Sequence, residues 1–442
     1  MLPTATKSTP TAVPPIRTQA GARRLSVTST PARLSLLRLA LIVAAILFAL
    51  AGSFGVNQRA NAIDDVHTAA GQLLALQDIQ VRVVHADAIA SSQYLRSGQE
   101  DPAQRTAYLD EIAKAGDGLV AVSSAANAAD IEELSQASRL LGAYVGLVEQ
   151  ARANNRQGFP VGATYQRQAN GIVSNADPDA PDIVSSLRTV EASQRDQINN
   201  SLATAHLAGL WLVITGLLLL ALLAAAGFWL SRRFRRLVNI PIAAAGVVVL
   251  LVLVFGGSTQ AKSISDVDDA VGTQLSAADS AAQARSAGFE AQSQEALTLI
   301  NRGNGAANEA NWQKSMDVAT QLLGGELGSD GSLSTDVHDS FNAYRHAHVE
   351  IRALDDGGDW DGAVAASLGT VDTPDGINAV VAFDGFTSSL AKIVTNEGSH
   401  ASALISDAFS PLRSLRNIVF VAGLVVAVLA ALGCGQRLRE YR

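Results

Sequence analysis

The sequence has little cysteine, few aromatic residues and, in four long stretches, no charge at all. The 442 residues include one cysteine, Cys434, so no disulfide can form within the chain. Aromatic residues make up 5% of the sequence, whereas hydrophobic residues as a whole make up 48%. Because alanine, the strongest helix former, dominates this apolar fraction, the composition favours an all-α fold over strands.

The four uncharged runs are each long enough to cross a bilayer as a helix. They are 39–57, 207–230, 237–260 and 417–435, and a spanning helix needs about 20 apolar residues. Trp211 and Trp229 lie near the two ends of the second run, where interfacial aromatic residues belong. Buried core helices are the alternative, but the chain has four such runs, and each has an arginine within two residues of at least one end. The sequence therefore predicts an integral membrane protein with transmembrane helices at 39–57, 207–230, 237–258 and 417–435.

Basic residues gather in three short segments: a disordered tail at 1–38, a loop at 231–236 and a tail at 436–442. These segments hold 13 of the 33 Lys and Arg residues and one of the 41 acidic residues. Short loops rich in Lys and Arg stay in the cytoplasm, so we expect a multi-pass protein of the cell membrane with both termini inside. The acidic segments 58–206 and 259–416 then face outward. The arginines of the loop are candidate contacts for a cytoplasmic partner: Arg232, Arg233, Arg235 and Arg236.

Two stretches of the sequence resemble each other and predict an internal duplication. Residues 143–163 and 343–363 match without a gap at seven positions, and 63–71 resembles 264–272. The predicted unit is a span, an outer domain and a second span, so that one chain acts as a pseudo-dimer. Ala60-Asn61-Ala62 looks like a signal-peptidase site, and cleavage there would leave three spans. Because the first span corresponds to the third, which no signal peptidase removes, we favour an uncleaved anchor.

Each outer segment has the helical periodicity of an antiparallel four-helix bundle. Asp101 can cap a helix that has Pro102 in its first turn, and a second helix is expected to begin at Asp130. The predicted apolar face of that second helix starts at Ile131. A first helix is expected to run from the membrane to about Leu95, and the last to return from about Pro181 into the second span. The fold class predicted is thus all-α, with two extracytoplasmic bundles.

The candidate ligand or docking residues lie in the repeated stretch and the turn after it. The pairs Tyr144/Arg152 and Tyr344/Arg352 could line a carboxylate site, since arginine suits that ligand, or could simply cover the bundle ends. The acidic turn could be a docking patch or a solvated turn; its aspartates are Asp355, Asp356, Asp359 and Asp361.

Few signals favour a metal site, a cofactor or catalysis. Of His346, His348 and Glu350, only His346 and Glu350 can share a helix face, so no metal is predicted. The sequence contains no glycine-rich phosphate loop or nucleophile elbow, so neither a cofactor nor an enzyme is predicted, and nothing indicates a nucleic-acid partner. Ser26 follows basic residues and is a possible phosphosite, although those residues also serve as a positive-inside anchor.

The chain resembles known bacterial membrane sensors in three features: the four spans, the paired helical domains and the small cytoplasmic segments. The outer domains resemble the sensor halves of bacterial chemoreceptors and sensor histidine kinases. The whole chain resembles the actinobacterial GlnX-type four-span membrane sensors. This resemblance implies a non-enzymatic relay that receives an aspartate, glutamate or glutamine signal through a solute-binding lipoprotein. It also implies a Ser/Thr protein kinase as the cytoplasmic partner, beside the lipid bilayer itself. The alternative is a scaffold or assembly factor for cell-envelope complexes.

Overall fold

The computed structural model describes residues 30–96, 100–175, 177, 179–234, 239–325 and 331–439, and every regular element in this part of the chain is a helix. The helices of the first half are α1 (Thr30–Tyr94), α2 (Pro102–Ser123), α3 (Ala128–Arg156), α4 (Val161–Val173), α5 (Ile183–Ala208) and α6 (Leu210–Phe234). Those of the second half are α7 (Ile240–Asp269), α8 (Ser276–Ile300), α9 (Ala306–Leu323), α10 (Gly331–Asp356), α11 (Trp360–Ser367) and α12 (Ala379–Arg439). A π-helical segment, Ala270–Leu275, joins α7 to α8.

Four helical stretches are long and apolar enough to cross a membrane, as predicted. They run through Arg33–Tyr94, Ile183–Arg232, Ile240–Ile300 and Ala379–Gln436. Their apolar parts, in α1, α6, α7 and α12, pack against one another as a group of four. Many large apolar side chains in these parts are exposed in the isolated chain, including Leu47, Leu218, Phe255 and Val428. Such exposure is expected of surfaces that face lipid.

Beyond the spans, the chain forms two helical bundles. In the first bundle, the far half of α1 packs with α2 and α5, α3 packs with α5, and α4 lies beside α3 near the membrane-distal end. In the second bundle, α8 packs with α9 and α12, α10 packs with α12, and α11 contacts α10. α1 also contacts α8 and α12, so the two bundles share one continuous core.

The local signals for α2 and α3 are mostly confirmed. Asp101 caps α2 by accepting the backbone N–H of Ala103. The expectation at α3 was wrong in one respect: Ile131 is 44% exposed and Asp130 is buried in its place. Asn127 is the N-cap, and its amide also donates to Asp130. A buried carboxylate that is hydrogen-bonded to a cap and to a neighbouring helix can thus occupy a position that periodicity alone assigns to an apolar residue.

The order of helices in the second half repeats that of the first, with two differences. α12 is continuous where α5 and α6 are separated at Gly209, and the second half carries the π-helical segment. The central helices α1 and α8 meet at residues about 200 apart, as where the hydroxyls of Ser91 and Ser293 lie 3.1 Å apart. This pairing is what a pseudo-dimer requires, and the duplication itself remains a prediction from sequence.

Candidate functional site

A polar cavity of about 280 Å³ lies between the two bundles; we call it the interbundle cavity. Its walls come from α1, α4, the start of α5, α8 and α9, so both bundles contribute. Among its charged and amide lining residues are Asp87, Asn170, Asp182, Arg188, Glu290, Gln294, Asn311 and Lys314. Ligand pockets typically occupy roughly 300–1,000 Å³, so the volume of this cavity lies just below that range.

Asp87 is the most deeply buried charged group of the cavity. Its side chain is 1% exposed. Oδ2 accepts hydrogen bonds from the Asn170 amide at 2.7 Å and from the Ser293 hydroxyl, and the Tyr144 hydroxyl also hydrogen-bonds to this carboxyl. Burial raises the pKa of the Asp87 carboxyl, and the hydrogen bonds from Ser293, Asn170 and Tyr144 oppose that rise. The Asp87 carboxyl therefore receives hydrogen bonds from three helices, α3, α4 and α8.

Two cations stand nearer the surface of the same cavity. The guanidinium of Arg188 lies 3.5 Å from Glu290 and its side chain is 56% exposed. Lys314, on α9, is also exposed. Burial raises the pKa of Glu290, while Arg188 and Lys314 act to lower it. Asp182 is used locally, because its carboxylate caps α5 by accepting the backbone N–H of Ser185 at 2.6 Å.

On the side of the α1/α8 pair away from the interbundle cavity, aromatic and imidazole side chains pack together. His85 stacks on Phe289 with centroids 4.3 Å apart, and Phe383 meets Phe289 edge-on at 5.3 Å. Glu111 of α2 lies 3.4 Å from His85 and closes this flank. The two flanks therefore differ: one is packed with aromatic side chains and the other encloses a polar space.

The tyrosines and arginines predicted to form carboxylate sites lie in different surroundings. Tyr144 and Tyr344 are fully buried in the bundle cores, and burial raises the pKa of both phenols. Arg152 contacts Glu100 and Arg352 contacts Asp355, so each guanidinium already holds a carboxylate of the protein. Tyr108 connects the members of the first pair, because its ring lies 6.4 Å from that of Tyr144 and 5.5 Å from the Arg152 guanidinium.

The aspartates of the predicted docking patch surround the turn between α10 and α11. Asp355 and Asp356 both contact Arg352, and Asp359 caps α11 by accepting the backbone N–H of Gly362. Asp361 is exposed in the first turn of that helix. The patch is therefore partly neutralised, and Asp361 is its most accessible carboxylate.

The histidines of α10 separate as their spacing predicts. His346 Nε2 lies 2.7 Å from Asp375, and these two with Glu350 have ligand atoms within 4.8 Å of one another on the surface. His348 points inward, where it is 2% exposed and stacks on Trp312. Burial alone would lower the pKa of His348, but hydrogen bonds to the carboxylates of Glu295 and Glu309 raise it.

Part of the predicted cytoplasmic contact surface is described. Arg232 is exposed in the last turn of α6, and its guanidinium lies over the ring of Phe228 at 4.4 Å. Arg233 lies in the same helix. Arg235, Arg236 and Ser26 lie outside the described residues.

A buried arginine joins three helices where the bundles meet the spans. Arg59 is 6% exposed. Its guanidinium donates to the carbonyl oxygens of Ala205 at 2.7 Å, His206 at 3.3 Å and Gln260 at 2.8 Å. α5 ends at Ala208, and Gly209 separates it from α6. Arg59 thus links α1 to the end of α5 and to α7 beside this break.

Sequence reasoning missed both Asp87 and Arg59. Each had a signal: Asp87 is an isolated acid in the apolar stretch "VVHADAIA", and Arg59 is the first charge after the first uncharged run. Charged residues on an otherwise buried face need partners. The partners lie on distant helices, so the sequence alone could not show them.

Comparison with known proteins assigns a family to the first bundle. Residues 62–203, from α1 to α5, match the family described as the actinobacterial sensor domain. No curated protein and no solved structure matches the chain. The predicted resemblance to an actinobacterial sensor protein is therefore confirmed, and the GlnX type stays a prediction. Joined to four helices that can span a membrane, the domain match supports a transmembrane sensor.

Proposed function

We propose that this protein is a non-enzymatic relay of the GlnX type, which receives an amino-acid signal outside the cell and informs a separate cytoplasmic partner. The two bundles lie outside the cell membrane, both termini lie inside, and the signal is aspartate, glutamate or glutamine. A solute-binding lipoprotein presents the signal, and a Ser/Thr protein kinase receives it.

The observation that carries this proposal is the sensor-domain match on a helix that also spans the membrane. α1 has 65 residues and α12 has 61. At about 1.5 Å per residue, each is between 90 and 100 Å long. A shift of such a helix in the bundle is carried to its other end, because a packed helix moves as a rigid element. The basic loop supports the orientation through the positive-inside rule.

The distal acidic patch and the basic inner loop are the surfaces that we assign to the partners. Asp361 is exposed at the membrane-distal end of the second bundle, and Arg232 is exposed at the end of α6. The exposed carboxylates suit a basic docking face, and the arginines suit acidic or phosphorylated segments. Docking at both ends would let one chain connect a protein outside the membrane with a protein inside it.

Photo-cross-linking in cells tests this assignment. A photoreactive residue replaces Asp361 in one variant and Arg232 in another, and captured proteins are identified by mass spectrometry. Glu132 provides the matched control, since it is an exposed acid with 78% side-chain exposure on the first bundle, away from the patch. We expect a solute-binding protein at position 361, a kinase at 232 and neither at 132. Capture of envelope enzymes at 361, with nothing at 232, would overturn the relay in favour of a scaffold.

A further inference from the structure

We propose that His346, Glu350 and Asp375 bind a zinc ion, Zn²⁺, on the surface of the second bundle. Three metal-binding side chains from two separate segments meet there, and their ligand atoms all lie within 4.8 Å of one another. His346 and Glu350 belong to α10, whereas Asp375 lies in the loop between α11 and α12. These residues line neither the interbundle cavity nor the acidic turn, so zinc binding does not depend on the proposed relay.

The first two ligands share one face of α10. Residues four apart lie one above the other on a helix, so the side chains of His346 and Glu350 point to the same side. His348, two residues from each, points into the core and is 2% exposed. Glu350 is partly buried and takes part in none of the ion pairs that α10 forms with the described residues. Its carboxylate is therefore available to a metal ion.

The third ligand is held by a closed turn rather than by a helix. The backbone N–H of Gly376 donates to the carbonyl oxygen of Thr373 at 2.8 Å, and that of Thr373 donates to Ile377 at 2.9 Å. Pro374 and Gly376 occupy the second and fourth positions of this turn, where β-turns favour these residue types. Asp375 is the third residue of the turn, so the backbone hydrogen bonds fix where its carboxylate stands relative to α10.

One imidazole and two carboxylates suit zinc better than magnesium or calcium. Zinc binds imidazole nitrogen and carboxylate oxygen at about 2.0–2.2 Å, whereas magnesium and calcium are held by oxygen ligands. Two ligand atoms on a tetrahedral zinc ion are about 3.3 Å apart. His346 Nε2 and Asp375 Oδ2 are 2.7 Å apart on side chains that are 50% and 58% exposed. Small rotations of these side chains therefore bring them to the spacing that zinc requires, and water completes the coordination at the surface.

The first bundle has no equivalent pair of ligands at the positions that the sequence repeat aligns. In the gapless match at an offset of 200 residues, Gly146 stands where His346 is, and Gln150 stands where Glu350 is. Glycine offers no side-chain ligand, and the usual zinc ligands are cysteine, histidine, aspartate and glutamate. The bundle fold does not require the ligands, and one such site per chain is expected.

The zinc site would connect α10 to the beginning of the helix that enters the fourth span. Asp375 lies just before α12, which begins at Ala379 and continues through the span as far as Arg439. Asp375 is also 29 residues beyond His346 along the chain. This separation explains why helical spacing, which pairs His346 with Glu350 only, led to the prediction of no metal.

Zinc titration of the purified full chain tests the proposal. The chain carries no affinity tag, is freed of metal with a chelator and is placed in nanodiscs of uncharged lipid, with empty nanodiscs as the blank. Calorimetry gives the affinity and the number of sites, and magnesium and calcium are titrated in parallel. We expect one zinc ion per chain to bind, and we expect neither magnesium nor calcium to displace it at the same concentration. Zinc should also raise the unfolding temperature, because an ion that binds only the folded state stabilises that state.

Two variants test the ligands. His346→Gln and Asp375→Asn each remove one ligand from an exposed side chain, so both should fold like the unaltered chain when no zinc is present. Each should weaken zinc binding by about tenfold or more, since even partners beyond the ligands contribute roughly 10–100-fold to metal affinity. His206→Gln is the matched control. His206 is an exposed histidine paired with Asp268 at 3.2 Å, and the described residues add no third ligand to that pair, so this variant should bind zinc like the unaltered chain.

Two titration results would overturn the proposal: no zinc binding at micromolar concentrations, or binding that both ligand variants retain with the affinity of the control. Magnesium or calcium binding as tight as that of zinc would also overturn it. X-ray absorption at the zinc edge should show one imidazole, whereas a sulfur ligand or several imidazoles would place the ion elsewhere in the protein. None of these results bears on the relay, because partner capture at positions 361 and 232 does not require zinc.

Discussion

Replacing Arg59 with leucine should destabilise the protein more than any other single removal of a charge. The guanidinium contacts carbonyl oxygens of α5 and α7 and is almost fully buried. Because α5 ends at Ala208, the carbonyls of its last turn lack the N–H donors of a continuing helix. Arg59 supplies donors to two of them, at Ala205 and His206.

Leucine fills part of the space but donates nothing, so these buried carbonyl oxygens lose their partner. A buried hydrogen bond from a charged group contributes about 1.5–3 kcal/mol. We therefore expect Arg59→Leu to lower the free energy of unfolding by about 2–4 kcal/mol, measured by SDS titration of the purified protein. Arg59→Lys should recover only part of this loss, because an ammonium on a shorter stem cannot reach three carbonyls as the planar guanidinium does.

Arg139→Leu is the control, since Arg139 is 65% exposed with a 3.8 Å ion pair to Glu132. Exposed pairs of this kind contribute at most about 1 kcal/mol. Equal stability of the two leucine variants would show that the Arg59 contacts do not hold the junction.

Replacing Gly423 with leucine should disrupt the packing of α1 against α12 within the spans. A Cβ on Gly423 would lie 2.5 Å from the Cβ of Ala49 and 2.8 Å from its Cα. The obstacle is backbone as well as side chain, so it cannot be relieved by a rotamer change. Small residues at such positions let two transmembrane helices approach closely. The two helices must move apart, and overpacking of this kind costs about 1–3 kcal/mol.

Gly435→Leu is a matched control on the same helix. A Cβ there would meet no atom within 4 Å, and the intrinsic helix propensity of the substitution is the same at both positions. The difference in SDS stability between the two variants therefore isolates the α1/α12 contact. We expect Gly423→Leu to be less stable by at least about 2 kcal/mol; a stability equal to that of Gly435→Leu would contradict this close packing.

The helices could be predicted from sequence because their signals are local. Uncharged runs of adequate length indicate the spans, and Asp101 with Pro102 indicates the start of α2. Ile131 was wrongly predicted to lie on the buried face of α3. Helical periodicity cannot show that Asp130 has hydrogen-bond partners on α5, including the amide of Gln194. The break at Gly209 was not predicted either, since glycine is common in transmembrane helices.

The candidate site could not be predicted because it is built between bundles. Asp87 is part of the site because it accepts hydrogen bonds from Asn170 and Ser293, which lie 83 and 206 residues away along the chain. Tyr144 looked like a surface ligand contact because its sequence context recurs near Tyr344, yet the fold buries both rings. Repeated sequence thus identified equivalent positions without showing which side of a helix faces solvent.

In a relay, movement between the two bundles must reach the cytoplasm, and a reversible disulfide between the bundles tests this most directly. The hydroxyls of Ser91 on α1 and Ser293 on α8 are 3.1 Å apart, so cysteines at these positions can form a disulfide. The paired substitution is made with Cys434 replaced by alanine, and each single cysteine serves as a control. Phosphorylation of cytoplasmic proteins is measured by mass spectrometry when external glutamate is raised, before and after oxidation and again after reduction.

We expect the oxidised pair to abolish the phosphorylation response and reduction to restore it, and we expect neither single cysteine to have this effect. A full phosphorylation response from the oxidised pair would contradict the relay. The signal would then cross the membrane although the disulfide prevents the bundles from moving apart.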